Sequence, residues 1–228
     1  MKERPILFND EMVRAILEGR KTQTRRAMKP QPITYEERRV GNCFIIECQT
    51  EKGYFSGGGG EDTTRACFAA RHCPYGEPGD RLWVREAFCE LRPEHYHDRG
   101  PAHMLTNRYG PIKRNGCEYR AGTIDKSGDR ERCREELGYK WTPSIHMPRW
   151  ASRITLQITG VRVERVQEIS EEDAKAEGAQ EMHLDNLGQT WKTYQRGFES
   201  LWDSINSGDK SWAANPFVWV IEFRRVEG

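Results

Sequence analysis

The chain has 228 residues, enough for one domain with a sizeable core or one domain carrying insertions. It is polar, with 31% charged residues and a mean hydropathy of -0.87, yet its net charge is only +1, so composition supplies no global pull toward nucleic acid or an anionic membrane. No apolar run reaches the ~18 residues of a membrane span, no signal-peptide core follows Met1-Lys2-Glu3-Arg4-Pro5, and seven cysteines, an odd number, do not read as a disulfide framework. These features predict a protein of the reducing cytoplasm.

The first element is a short helix. Asn9 or Asp10 caps it, Met12, Val13, Ile16 and Leu17 share one face, and Gly19 suits the left-handed residue that ends it. Gly19-Arg20-Lys21-Thr22-Gln23-Thr24-Arg25-Arg26 follows, and carries an amine, two hydroxyls and several guanidinium groups. If residues 22–26 are extended, Thr22, Thr24 and Arg26 share one face. Lys21 joins them only if the chain turns at 19–22. A Thr hydroxyl attacks well only when a base takes its proton, and a neutral Lys amine can be that base. The ordinary Lys pKa of ~10.4 falls on burial and beside a cation such as Arg26. The plainer reading also stands: cations past a helix end suit its dipole, and threonines favour strands.

Lys29-Pro30-Gln31-Pro32 reads as a linker, and Cys43-Phe44-Ile45-Ile46-Glu47-Cys48 as a candidate strand. Tyr54 to Gly60 contains four consecutive glycines and reads as a flexible loop, since ordering glycine is entropically costly. It lacks the Lys-Ser/Thr of a phosphate-cradling P-loop. Turn residues Pro74 to Asp80 deliver the chain into Arg81-Leu82-Trp83-Val84-Arg85-Glu86-Ala87-Phe88. Leu82, Val84 and Phe88 supply a core face there; Trp83 and Arg85 either line a cleft or simply pack and pair.

Residues 89–150 read as a long insertion. Cys89, His95, His97, His103, Cys117 and Cys133 lie in or beside it, but no C-x-x-C pair occurs, so zinc is the minority reading. Tyr139 to Trp150 reads as an ordered, Trp- and Pro-rich loop. Arg153 to Val166 is the strongest strand signal: Ile154, Leu156 and Ile158 hold one phase, and Val161 and Val163 hold the other after Gly160, which predicts a bulge or tight bend.

Ser170 caps a short helix with Glu171, Glu172 and Asp173 in its first turn and Glu177 at its end, before Gly178. A carboxylate there faces the negative end of the dipole, and enclosure would raise its pKa into the range useful for proton transfer; in water it would be merely a screened surface group. Trp191, Tyr194, Phe198, Leu201, Trp202 and Ile205 then recur at helical spacing, stopped by Asn206-Ser207-Gly208. Phe217 to Phe223 is apolar on both faces and predicts a central strand. Two charge runs stand out: Arg20, Lys21, Arg25, Arg26 and Lys29 with no acid among them, and seven acids within 164–181, among them Glu164, Asp173 and Glu177. They either face one another across a cleft or form two solvated faces.

The stretch at 19–26 resembles the signature of the ASCH family, small β-barrels of the PUA-like superfamily. Gly19, Lys21 and Arg26 meet its G-x-K-x-x-E-x-R pattern, with Thr24 in place of Glu. That departure is shared with a subgroup reading G-R-K-T-x-T-x-R, the compact bacterial N4-acetylcytidine amidohydrolases. Ile169 to Gly178 resembles that subgroup's helix ending in a functional Glu, Phe217 to Phe223 its closing strand, and Gly79-Asp80 its turn into a strand. These segments cover less than half of the chain, which as a whole is similar to the longer ASCH proteins of phages and prophages.

The resemblance implies an α+β fold: one PUA-like small mixed β-barrel flanked by short helices over residues 1–228, with insertions at about 27–78 and 89–150. It implies removal of an acyl group from the exocyclic amine of a modified cytosine nucleoside, with Lys21, Thr24 and Glu177 as the catalytic group and no metal or cofactor, because the nucleophile is intrinsic. Arg26 would stabilise the oxyanion or order Glu177, and Arg25 and Arg85 are candidate substrate contacts. The partner would be a modified nucleoside or RNA, with no membrane. The rival readings are a non-catalytic RNA- or nucleotide-binding module and an ASCH-type ribonuclease.

Overall fold

The computed structural model describes residues 1–40, 43–50, 53–59, 72–90, 117–122, 140–186 and 189–226. The fold is mixed α+β. Its largest sheet has five strands: β1 (Glu3–Leu7), β2 (Gln23–Ala27), β6 (Arg81–Arg85), β9 (Thr155–Arg165) and β12 (Phe217–Val226), in the spatial order β1-β6-β9-β12-β2. Smaller sheets are formed by β3 (Thr34–Val40), β4 (Cys43–Thr50) and β5 (Gly53–Gly59), by β7 (Phe88–Glu90) and β8 (Cys117–Tyr119), and by β10 (Met182–Asn186) and β11 (Gln189–Thr193). Among the described residues three α-helices are present: α1 (Asp10–Leu17), α2 (Glu171–Ala176) and α3 (Tyr194–Ile205). Among the described residues no helix is long and apolar enough to cross a membrane.

Two compact units are present: Met1–Arg4, Glu18–Leu82 and Leu156–Glu227 form the first, and Pro5–Leu17 with Trp83–Thr155 the core of the second. In the first, β12 lies between β9 and β2, and Phe217 to Ile221 are all buried, as two-sided apolarity predicts for an interior strand. Val218 and Val220 pack with Val166, Ile169, Ala174, Phe198 and Trp202, which seats α2 and α3 on one face of β12. On β9 the buried positions shift from Leu156 and Ile158 to Val161 and Val163, the phase change expected at Gly160, and the strand continues through it.

The helix ends follow their sequence signals. Asn9 Oδ1 accepts from Met12 N–H at 2.9 Å, and Gly19 has φ 74°. Ser170 Oγ accepts from Asp173 N–H at 3.1 Å, and Gly178 follows Glu177 with φ 80°. α3 starts later than the aromatic spacing suggests: Thr193 is its N-cap, accepting from Arg196 N–H at 3.2 Å, so Trp191 lies in β11. Gly197 is where α3 meets the main chain, because a Cβ there would stand 1.8 Å from the Gln180 carbonyl oxygen.

The glycine-rich stretch corrects the flexible-loop expectation. Residues 53–59 form β5, antiparallel to β4, with Tyr54 opposite Gln49 and Gly58 opposite Ile45. A ladder on an adjacent strand supplies the hydrogen bonds that glycine's weak local preference cannot. Gly60 lies outside the described residues.

In the second unit Glu86 is fully buried and receives two hydrogen bonds at 2.8 Å from Arg153, whose guanidinium carbon lies 4.2 Å from the Tyr119 ring centre. Residues 140–151 form two short 3-10 turns, Ser144–His146 and Arg149–Ala151, anchored by fully buried Met147. Cys89 and Cys117 are buried on β7 and β8; His95, His97, His103 and Cys133 lie outside the described residues.

Candidate active site

The loop at 19–22 is held at its Thr22 end by two main-chain bonds. Thr22 N–H donates to the Ala176 carbonyl at 2.8 Å, satisfying an end-of-helix acceptor, and Phe223 N–H donates to the Thr22 carbonyl at 2.8 Å. This ties the loop to the end of α2 and to β12 together, and so sets Lys21 against Glu177. Both residues are 2% exposed. Lys21 Nζ donates to Glu177 Oε2 at 2.8 Å and to the Glu177 main-chain carbonyl at 2.7 Å, across 156 residues of sequence. Burial lowers the Lys21 pKa; Glu177 opposes the shift, and the Arg26 and Arg25 charges reinforce it.

Side chains alternate along β2 as expected. Gln23 and Arg25 both reach Asp173 on α2: Gln23 Nε2 donates to its carbonyl oxygen at 2.8 Å and Arg25 Nη2 to its carboxylate at 2.7 Å. Thr24 and Arg26 therefore take the other face, opposite Ile221 and Trp219 of β12. Thr24 is 2% exposed and Arg26 is half-buried. Burial pushes the Arg26 guanidinium below its ordinary value, against the opposing charges of Tyr75 and Glu177.

The two charge runs meet. Arg25, whose side chain has no exposed surface, contacts three carboxylates: Glu164 at 2.9 Å, Asp173 at 2.7 Å and Glu177 Oε1 at 3.3 Å. Arg162 extends the set, pairing with Asp173 at 2.7 Å and with Glu164 and Glu222. Burial works against the Asp173 carboxylate, but Arg25 and then Arg162 outweigh it and hold its pKa below the ordinary value. Read from the sequence as a substrate contact, Arg25 is enclosed by acids and faces Glu177. Arg85 belongs to the second unit, where its Nε donates to the Met147 carbonyl at 3.0 Å and its guanidinium lies 5.2 Å from the Trp83 ring centre.

The sequence reading did not single out Arg162 and Glu222. The signal for Arg162 was an alternation: Arg162 and Glu164 interleave with buried Val161 and Val163 on β9, placing opposite charges two residues apart on one strand face. Among the described residues no group of His, Cys, Asp or Glu is placed to hold a metal ion. What the arrangement offers is a buried amine paired with a carboxylate, a buried hydroxyl on the adjoining strand and a guanidinium beside them. No family model, curated protein or solved structure matches the chain.

Proposed function

We propose that the chain is an amidohydrolase of the ASCH, PUA-like kind, which removes the acyl group from N4 of an acylated cytosine nucleoside and releases cytidine and the carboxylate. The observation that carries this reading is the buried Lys21–Glu177 contact at 2.8 Å, which joins two of the segments on which the family resemblance rests. Burial lowers the Lys21 pKa, which favours a neutral amine beside the Glu177 carboxylate. In that arrangement the Lys21 amine takes the Thr24 hydroxyl proton as Oγ attacks the amide carbonyl. The Lys21 ammonium then passes that proton through the Glu177 carboxylate to the exocyclic nitrogen as the C–N bond breaks. Water, deprotonated by the pair, then cleaves the Thr24 ester, and Thr24 regains its proton. Arg26 supplies positive charge for the oxyanion.

The RNA-binding alternative draws on the basic run at 20–29, but Lys21 and Arg25 within it are already matched by Glu177, Asp173 and Glu164. That leaves less of the run to contact phosphate. Turnover of N4-acetylcytidine by the purified protein tests the proposal, with Lys21→Ala, Thr24→Ala and Glu177→Ala alongside. Cytidine formed by the wild type and lost in all three is the expected result. Full turnover in Lys21→Ala and Glu177→Ala would remove the assigned roles. An inactive wild type would transfer the question to salt-dependent RNA binding and cleavage.

A further inference from the structure

Arg25 stands at a variable position of the motif that surrounds it and reads from the sequence as a substrate contact, yet its side chain has no exposed surface and reaches three carboxylates. Its Nη1 donates to Glu177 Oε1 at 3.3 Å while Lys21 takes Oε2 at 2.8 Å. Its Nη2 is held on the far side by Glu164 at 2.9 Å and Asp173 at 2.7 Å, and Arg162 bridges those same two acids and Glu222. The Phe198 ring centre lies 5.9 Å from its guanidinium carbon.

We propose that Arg25 is a positioning residue: anchored by Glu164 and Asp173, it fixes the Glu177 carboxylate so that one oxygen is presented to Lys21. The catalytic part of this inference rests on the amidohydrolase reading; the hold on the pair does not. Two donors on two different oxygens leave a carboxylate little freedom to rotate. A cation on Glu177 also competes with Lys21 for its negative charge. The groups that face Lys21 and act with Arg25 are Glu177 from the end of α2 and Arg26 from β2. Tyr75 acts on Arg26 in turn. Removing Arg25 takes away one of the charges that lower the Lys21 pKa, so its titration should move up.

The experiment compares wild type, Arg25→Gln and Arg25→Lys in two measurements. One is the pH profile of kcat and KM on N4-acetylcytidine. The other is an NMR titration of the Lys21 side chain, which needs no turnover. Arg25→Gln is expected to lose about 100-fold in kcat, the scale of a misplaced catalytic group, with KM within about twofold. Its Lys21 midpoint should rise. Arg25→Lys should recover part of both, which a purely structural loss would not show. If Arg25→Gln does not fold, Glu164→Gln and Asp173→Asn, which loosen the anchor of Arg25, should lower kcat by less, and, because each removes negative charge, should move the Lys21 midpoint down rather than up.

An active wild type with unchanged kcat and an unchanged Lys21 midpoint in the folded variants would overturn the proposal. If wild type does not turn over the nucleoside, the amidohydrolase reading fails by itself. The titration then decides for Arg25 alone: a raised midpoint upholds its hold on the pair, and an unmoved one refutes it.

Discussion

Lys21 Nζ is bonded to both ends of Glu177, the carboxylate at 2.8 Å and the main-chain carbonyl at 2.7 Å, so the lysine is tied to the backbone of α2's last turn as well as to a charge. The two residues are not equivalent. Loss of Lys21 leaves Glu177 with Arg25 as a partner, whereas loss of the Glu177 charge leaves two buried cations facing one another's field. Glu177→Gln should therefore cost about 3–5 kcal/mol, the scale of a broken buried ion pair. Lys21→Met should cost less, about 1–3 kcal/mol, and the double variant should be more stable than Glu177→Gln alone. Urea melts of the three variants check the order; equal losses in both single variants would show that Arg25 does not compensate.

Much of what holds this site was readable from local chemistry. Gly19, Ser170 and Gly178 mark helix ends through backbone rules that need only neighbouring residues, and the structure has φ 74° at Gly19 and φ 80° at Gly178. The phase change at Gly160 and the two-sided burial of Phe217 to Ile221 follow from strand period alone. What failed depends on distant partners. The glycines of β5 gain their order from Phe44, Ile45 and Ile46 of β4. Trp191 fits the helical spacing of α3 but falls before the Thr193 cap. Two oppositely charged runs were visible, but which charge meets which is set by strand register: Arg25 finds Glu164 across 139 residues and Asp173 across 148.

Asp80 is 4% exposed and accepts from Lys2 N–H at 2.6 Å and Arg4 Nη1 at 2.9 Å. The Lys2 backbone bond, with help from Arg4 and against burial, holds its pKa below the ordinary value. A carboxylate with a depressed folded pKa stabilises the fold above its unfolded value of ~3.9, and that contribution is lost as pH falls through the lower folded value. Asp80→Asn should cost about 1–3 kcal/mol at neutral pH and flatten the loss of stability below pH ~4. Thermal melts across the acid range would show it; an acid limb as steep as that of wild type would assign the effect elsewhere.

Arg153 makes two parallel bonds at 2.8 Å to Glu86 and lies over the Tyr119 ring, whose hydroxyl donates to the Ala151 carbonyl at 2.7 Å. A lysine can offer neither the fork nor the flat cation. Arg153→Lys should therefore lose about 1–3 kcal/mol despite keeping the charge, and Arg153→Met about 3–5 kcal/mol, because Glu86 is left buried and unpaired. Denaturant melts measure both; a wild-type midpoint for Arg153→Lys would mean that charge alone holds Glu86.

The pH dependence of the proposed reaction follows from the direction of the Lys21 shift. The amine must be neutral to accept the Thr24 proton, so kcat/KM should rise with pH to a midpoint below the ordinary Lys value of ~10.4. Burial is the main cause, and Glu177 is the charge that works against it. Glu177→Gln removes that opposition, so its midpoint should fall further while its plateau drops by about 100-fold or more through loss of the proton relay. Arg26→Gln removes a cation that lowers the Lys21 pKa, so its midpoint should rise. The two variants thus move one limb of the same profile in opposite directions, which loss of fold cannot imitate. A limb that stays in place in both would mean that the titrating base is a group other than Lys21.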